Sequence, residues 1–309
     1  MTATTPLVSV VTPSYQQGRF IERTLESVRR QGAGKLAGRI EHFVMDGGST
    51  DGTVDILERW KERLSYTSGP DGGQTAAINA GLAKCRGEFL AYLNSDDVYY
   101  DGAVEAALAA FESDPTADVV YGEADHIDVD DKVIERYPTE EWSLGRMKVT
   151  CFICQPTVFL RRRVLEKFGP FDASLRYCMD YEYWLRLAVG GARFVHVPAK
   201  LAGSRLHAET KTLGSREKVH AELNSMLRTR LGSVPDNWLS NWAHAVLDGR
   251  GIPRSTSLWW TTRVSLLTVW AAFRWNGYPS PALLRMVGWW MKASWRGWRE
   301  SRGSGGRTS

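Results

Sequence analysis

"IEHFVMDGGSTDGTVDILERW", residues 40–60, decides how this chain folds. Its first seven residues form a mostly apolar run that reads as a strand. "STDG", residues 49–52, then supplies side chains of helix-capping type, and Val54, Ile56, Leu57 and Trp60 follow at helical spacing. A strand that feeds directly into a helix is the opening of a βαβ unit.

The same pattern recurs on both sides. LVSVVT, residues 7–12, is a Val-rich run bounded by Pro13, and Phe20, Ile21, Leu25 and Val28 predict a helix over 18–31. A third helix, from Gly73 to about Lys84, precedes the strand "EFLAYLN", whose end runs into "SDD", residues 95–97. The alternation predicts an α/β fold with a mainly parallel sheet covered by helices on both faces. Ligands in such sheets sit at the carboxyl ends of the strands, so Pro13 to Tyr15, Asp46 and Asn94 to Asp97 are expected along one rim.

Adjacent carboxylates on a rim repel unless a cation intervenes, and Mg²⁺ or Mn²⁺ takes one or two carboxylates together with phosphate oxygens. The alternative is that Asp96 and Asp97 cap a helix starting near Asp101. The stretch "GPDGGQTAAINAG" before them adds Gly72, Gly73, Gln74 and Asn79 at a helix start, a natural neighbour for phosphate.

From residue 7 to about 212 the chain resembles the family 2 glycosyltransferases of the GT-A fold. The motifs are "VSVVTPSYQQGRFIERTLESV", "VMDGGSTDGTVDIL", "GPDGGQTAAINAGLAKCRGEFLAYLNSDD", "QPTVFLRRRVLEKFGPFD", "MDYEYWLRL" and "RLHAETKT", in order. The resemblance implies a Rossmann-like sheet and transfer of a sugar, with inversion, from a nucleotide-sugar donor to a glycan or lipid-linked acceptor. A UDP-sugar is the expected donor, with a dTDP-sugar as the alternative.

It also assigns roles. Pro13, Ser14 and Tyr15 would line the nucleoside pocket, with Asp46 on the base and Asp71 nearby. Asn94 to Asp96 takes the place of the family's Asp-x-Asp signature with Asn at its first acid, which leaves Asp96 as the metal ligand and Asp97 as a further candidate. His207 would lie beside the Mn²⁺ or Mg²⁺ and diphosphate, and Arg205 or Lys211 would neutralise phosphate. Gln155 would face the acceptor. Asp180 would be the general base, with Glu182 its nearby rival.

Composition bounds the rest. With 309 residues and 43% hydrophobic content the chain can fill a core. From Arg250 onward ten Lys and Arg face one acid, Glu300, and ten of the 13 Trp lie from Trp238 onward. A basic, Trp-rich segment is the composition of a membrane interface, while no nucleic-acid recognition fold or dense basic run is seen. "SLWWTTRVSLLTVWAAFRW", residues 257–275, is interrupted by Arg263, so a helix lying in the interface is expected rather than a span.

The CxxC at 151–154 has no companion at zinc spacing, so no metal or redox role is expected for it. The N-terminus lacks a basic start followed by an apolar run, so a cytoplasmic protein at the inner face of the membrane is expected.

The expected organisation is a catalytic domain over 1–214, with a nucleotide-sugar half to about 117 and an acceptor half from 118. A helical Trp-rich region over 215–299 and a disordered tail over 300–309 would follow. Two other functions fit less well: a non-catalytic nucleotide-sugar or membrane-binding subunit, and a sugar nucleotidyltransferase, which would carry a Gly-rich basic loop where this chain has "TPSYQQGRF".

Overall fold

The structure, a computed structural model, describes residues 5–207 and 216–304, with side chains as far as Arg299. The chain divides into two compact units, Met1–His207 and Ala208–Ser309.

In the first unit, β1 (Val8–Ser14), α1 (Ile21–Gln31), β2 (Ile40–Asp46), α2 (Thr53–Trp60), β3 (Ser65–Ser68), α3 (Gln74–Lys84) and β4 (Phe89–Tyr92) alternate, with β3 an addition to the predicted elements. β5 (Val98–Tyr99), α4 (Ala103–Ser113), β6 (Val119–Ile127), β7 (Val133–Arg136) and α5 (Leu144–Met147) follow. β8 (Phe159–Arg161), α6 (Arg162–Phe168), α7 (Met179–Val189) and β9 (Phe194–Arg205) complete it. The sheet order is β3-β2-β1-β4-β8-β6-β9-β5, with β7 paired to β6.

β1 runs parallel to β2 and β4, and β2 parallel to β3, so the first half is a parallel sheet. Beyond β4 the sheet is mixed, because β8 is antiparallel to both β4 and β6, while β6 and β9 are parallel. Val8, Val10, Phe89, Phe111 and Phe159 form one part of the core, and Ile21, Leu25, Val44, Leu57 and Trp60 another.

Two details differ from expectation. β1 continues through Pro13 to Ser14, because its pairing with β4 ends at Val11–Tyr92 and Pro13 has no ladder bond to supply on that side. The predicted Ser/Thr/Asp cap of α2 is not a side-chain cap on the residue before the helix, which is left-handed Gly52; instead Asp51 accepts from the Thr53 amide at 3.2 Å and the Thr53 hydroxyl at 2.6 Å.

α3 packs so tightly on the sheet that a Cβ at Gly81 would stand 2.4 Å from Val11 Cγ1. This contact fixes the height of the α3 N-terminus, where Gln74 sits.

The second unit is helical: α8 (Arg216–Leu231), α9 (Asp236–Gly249), α10 (Leu258–Asn276) and α11 (Pro281–Ser304). α11 runs into the Gly/Ser/Arg-rich stretch whose composition predicts disorder from residue 300, a helix already nucleated upstream being extended at little further cost. No described helix is long and apolar enough to cross a membrane.

Candidate active site

The rim begins with two loops laced together. After β1, the Gln16 amide donates to Ser49 Oγ at 2.8 Å, its side chain exchanges hydrogen bonds with Thr50, and the Gly18 amide donates to Asp51 at 2.8 Å. Asp46, buried at the end of β2, accepts from the amides of Gly48 and Ser49 and from the hydroxyls of Ser49 and Ser68. Its carboxylate therefore organises the 46–49 turn.

Between these loops Tyr15 and Asp71 both lie against Gly47. A Cβ there would stand 3.2 Å from the Tyr15 ring and 3.3 Å from Asp71 Oδ2, so a larger residue would press on both groups. Tyr15 is exposed, and Asp71 is fixed by the Gly73 amide at 2.7 Å. Ser14 Oγ is buried with no hydrogen-bond partner, and Pro13 is buried beside it in β1.

The turn after β4 carries the acids. Asp96 Oδ2 lies 2.9 Å from His207 Nε2, whose ring packs on Phe20 with centroids 5.0 Å apart. Asp97 points the other way: it is buried, accepting from the Arg205 amide at 2.8 Å and from Asn94 Nδ2 at 3.2 Å. Burial, with Asp96 adding repulsion, pushes its carboxyl up to about 7.

Neither acid caps a helix, because β5 intervenes and α4 starts at left-handed Gly102. The Val104 amide of that helix is taken by Gln31 Oε1 instead, at 3.2 Å.

The fold gives other residues different partners from those expected. Arg205 does not reach toward phosphate. It is buried, its Nε donates to the Asp96 carbonyl at 2.7 Å, and its guanidinium also binds the Asp128 carbonyl and Asp131 while stacking on Phe20. Asn79 holds the Phe171 backbone at both ends, donating at 2.8 Å and accepting at 3.0 Å.

Gln155 is buried, donating to the Tyr92 carbonyl at 2.8 Å and accepting from Asn94 at 3.2 Å. Gln74 donates to Asn94 Oδ1 at 2.7 Å. Lys211 lies outside the described residues.

These amides converge on Asn94, and the convergence explains the departure from Asp-x-Asp. Asn94 Nδ2 donates to two acceptors, Asp97 Oδ2 and Gln155 Oε1. An aspartate has no donor for either and would add charge beside a buried carboxylate. Asn94→Asp is therefore expected to lower stability by about 2 kcal/mol. The loss should be smaller at pH 5 than at pH 8, since protonation relieves the repulsion, and urea unfolding at the two pH values checks it.

Asp180 stands in the first turn of α7, half-buried, with the Tyr181 amide donating to Oδ1 at 2.7 Å. Desolvation raises its carboxyl above the usual aspartate range, opposed by the hydrogen bonds from the amides of Tyr181 and its own residue. Burial pushes the Tyr92 hydroxyl and the Cys154 thiol up, and the charges of Asp97 and Asp180 add to the effect at both. Glu182 is fully buried against Arg186 at 2.9 Å, and that arginine in turn donates to the carbonyls of Phe168 and Pro170.

Three polar residues that the sequence pattern does not single out hold this rim. Thr24 Oγ1 is within hydrogen-bond distance of both the Ser95 and the Asp97 carbonyls, Ser27 Oγ accepts from the Tyr99 amide, and Gln31 donates to the Tyr100 carbonyl. The available signal was their position: polar residues recurring on the apolar face of α1.

A divalent cation fits the chemistry of Asp96 and His207, a carboxylate oxygen and an imidazole nitrogen side by side. Among the described residues, no group of three or more His, Cys, Asp or Glu is arranged to hold a metal. Further ligands would thus come from phosphate oxygens and water, as is usual for Mg²⁺.

Comparison with known proteins bears on the family and the fold. The family model described as "Glycosyl transferase family 2" matches residues 9–169. A PGL/p-HBAD biosynthesis glycosyltransferase of Mycobacterium bovis is 30% identical over 205 residues, 62% of this chain and 75% of that protein. An uncharacterised glycosyltransferase of Rickettsia prowazekii is 27% identical over 217 residues, 67% of this chain. That match and one to a Rickettsia typhi relative span 66% and 64% of those proteins' own lengths.

Among solved structures, S. aureus TarS 1-349 in complex with UDP-GlcNAc superposes with a TM-score of 0.63 at 17% identity, covering 97% of this chain and 92% of that one. The mannosyltransferase PcManGT from Pyrobaculum calidifontis, in complex with GDP-Man and Mn²⁺, gives 0.58 at 17% identity, covering 94% and 86%. At these identities the likeness is one of fold, which is GT-A.

Proposed function

The chain belongs to glycosyl transferase family 2, and on that premise we propose that it transfers a sugar, with inversion, from a nucleotide-sugar to a hydroxyl of a glycan or lipid-linked acceptor. The observation that carries the reading is the Asp96–His207 pair at the end of β4, with the Tyr15–Gly47–Asp71 cluster on the same rim and Asp180 in the first turn of α7.

The nucleobase enters a slot beside Gly47, with Tyr15 against one face and Asp71 able to accept a base N–H. Asp46 keeps that slot open by bracing its turn. The diphosphate lies over Asp96 and His207, where a bound Mg²⁺ or Mn²⁺ would supply positive charge to the leaving group. Asp96 and His207 orient that charge, and Asp97 stays buried behind them as a support.

Asp180 takes the proton from the acceptor hydroxyl as its oxygen attacks the anomeric carbon from the side opposite the leaving diphosphate. A UDP-sugar is the proposed donor, in keeping with the UDP-GlcNAc held by a protein of the same fold.

Calorimetry with UDP, GDP, dTDP and CDP in the presence of Mn²⁺ tests the donor side. UDP is expected to bind tightest, with affinity falling by about tenfold or more in EDTA or in Asp96→Ala. Binding of every nucleotide alike, or indifference to both metal and Asp96, would overturn the donor assignment and favour a non-catalytic subunit.

A further inference from the structure

Helix α10 is built the wrong way round for a soluble bundle. Its buried side is small and hydroxyl-bearing: Thr261, Ser265, Thr268, Ala271 and Ala272, with Val264 and Trp275. Its outward side is large and apolar: Trp259 is 54% exposed, Leu266 66%, Trp270 49% and Phe273 55%.

The spacing of these four, at intervals of seven, four and three residues, puts them on one line along the helix. With a rise of 1.5 Å per residue that line is about 21 Å long. Two of the three inner-face hydroxyls are accommodated locally, while Ser265 Oγ is buried without a hydrogen-bond partner. Thr268 Oγ1 donates to the Val264 carbonyl at 2.8 Å, and Thr261 Oγ1 meets Ser294 Oγ of α11 at 2.5 Å. Small residues inside let α10 approach its neighbours closely, while its hydrophobic bulk is left outside.

The charges beside the stripe narrow the choice of occupant. Arg263 lies 3.8 Å from the Trp259 ring centroid, and Arg274 lies 5.4 Å from that of Trp270. Both arginines are exposed, Arg263 along the edge of the apolar line seven residues before Trp270 and Arg274 next to Phe273, where a long side chain can lift its guanidinium into a headgroup layer while the indole goes deeper. Arg285, Lys292, Arg296 and Arg299, all exposed on α11, add charge of the same sign, and no acid lies between Arg250 and Arg299. A second copy of so basic a surface would repel this one; an anionic bilayer would attract it.

We infer that α10 lies flat in the interface of an anionic membrane, with Trp259, Leu266, Trp270 and Phe273 inserted among the acyl chains and Arg263 and Arg274 on lipid phosphates. The inference stands on the second unit alone and does not depend on the proposed sugar transfer. Helix α10 does not span, since two arginines interrupt its 19 residues.

Co-sedimentation of the full chain with phosphatidylcholine vesicles, with and without a quarter phosphatidylglycerol, tests it. Binding is expected to the anionic vesicles, to weaken with salt, and to fall by about tenfold or more in the double variant Leu266→Glu, Phe273→Glu. Arg263→Gln with Arg274→Gln should weaken binding only where phosphatidylglycerol is present.

Thermal melts establish that the variants fold, and on the unmutated chain lipids brominated along their acyl chains are expected to quench tryptophan emission. Lack of vesicle binding, binding unchanged in the Leu266/Phe273 variant, or absence of quenching would overturn the inference. So would a dimer that the same double variant dissociates while the wild-type chain ignores vesicles, since the stripe would then belong to a second copy.

Discussion

Asp180→Asn is expected to lower kcat for sugar transfer by about 10³ while leaving nucleotide-sugar affinity within about twofold of wild type. The carboxamide keeps the shape and can still accept the Tyr181 amide through Oδ1. What it loses is the second basic oxygen, the one that would take a proton from an acceptor. A purely structural Asp180 would give the opposite pattern, with stability falling and turnover surviving. The structure leaves little for such a role, because among the described residues Asp180 meets only local backbone amides, that of Tyr181 and its own.

The stability change in Asp180→Asn should accordingly stay within about 1 kcal/mol. Its pH behaviour follows from the direction of its shift. A base works deprotonated, and desolvation raises this carboxyl, so activity is lost as pH falls through a value above the ordinary aspartate range. An acid limb of kcat/KM at or below that of a free aspartate would show that Asp180 is not the base.

Most of the parallel half of the fold was legible because β1 and β2 each lead into a helix and β4 follows one, whereas β3, four mostly exposed residues, carries no apolar run and was not. Val8 to Val11 and Phe89 to Tyr92 are buried throughout, as runs without alternation should be in a sheet covered on both faces. β9 was not legible. Pro198, Lys200 and Gly203 interrupt its pattern, and its register with β6 shifts on either side of Glu123, so neither a period of two nor an unbroken apolar run is present.

Within the rim the division is physical too. Asp46, Asp96 and Asp180 could be placed from sequence because strand and helix ends are local features. Arg205, Asn79 and Gln155 could not, because a polar side chain that enters the interior must find a partner and those partners are remote in sequence. Asn79 meets Phe171, and Gln155 meets Tyr92 and Asn94. A motif tells that a polar group is present; only the fold tells whether a ligand or the backbone uses it.

Arg205 separates those two uses most sharply, and Arg205→Met is expected to destabilise the first unit by about 2 to 3 kcal/mol, read as a fall in the urea midpoint. The guanidinium binds three groups from two chain segments, the Asp96 carbonyl, the Asp128 carbonyl and the Asp131 carboxylate, and lies over Phe20. Met can replace the stacking volume but leaves two partly buried carbonyls without their donors. Arg205→Lys should recover little, since one ammonium cannot span a planar fork of acceptors. An arginine facing diphosphate would behave in reverse, with the midpoint unmoved and donor affinity sharply reduced. Because Arg205 also steadies the turn that carries Asp96, some donor affinity is expected to go with it, by less than about tenfold where the variant is still folded. Loss of affinity without loss of stability is thus the result that would return Arg205 to the phosphate.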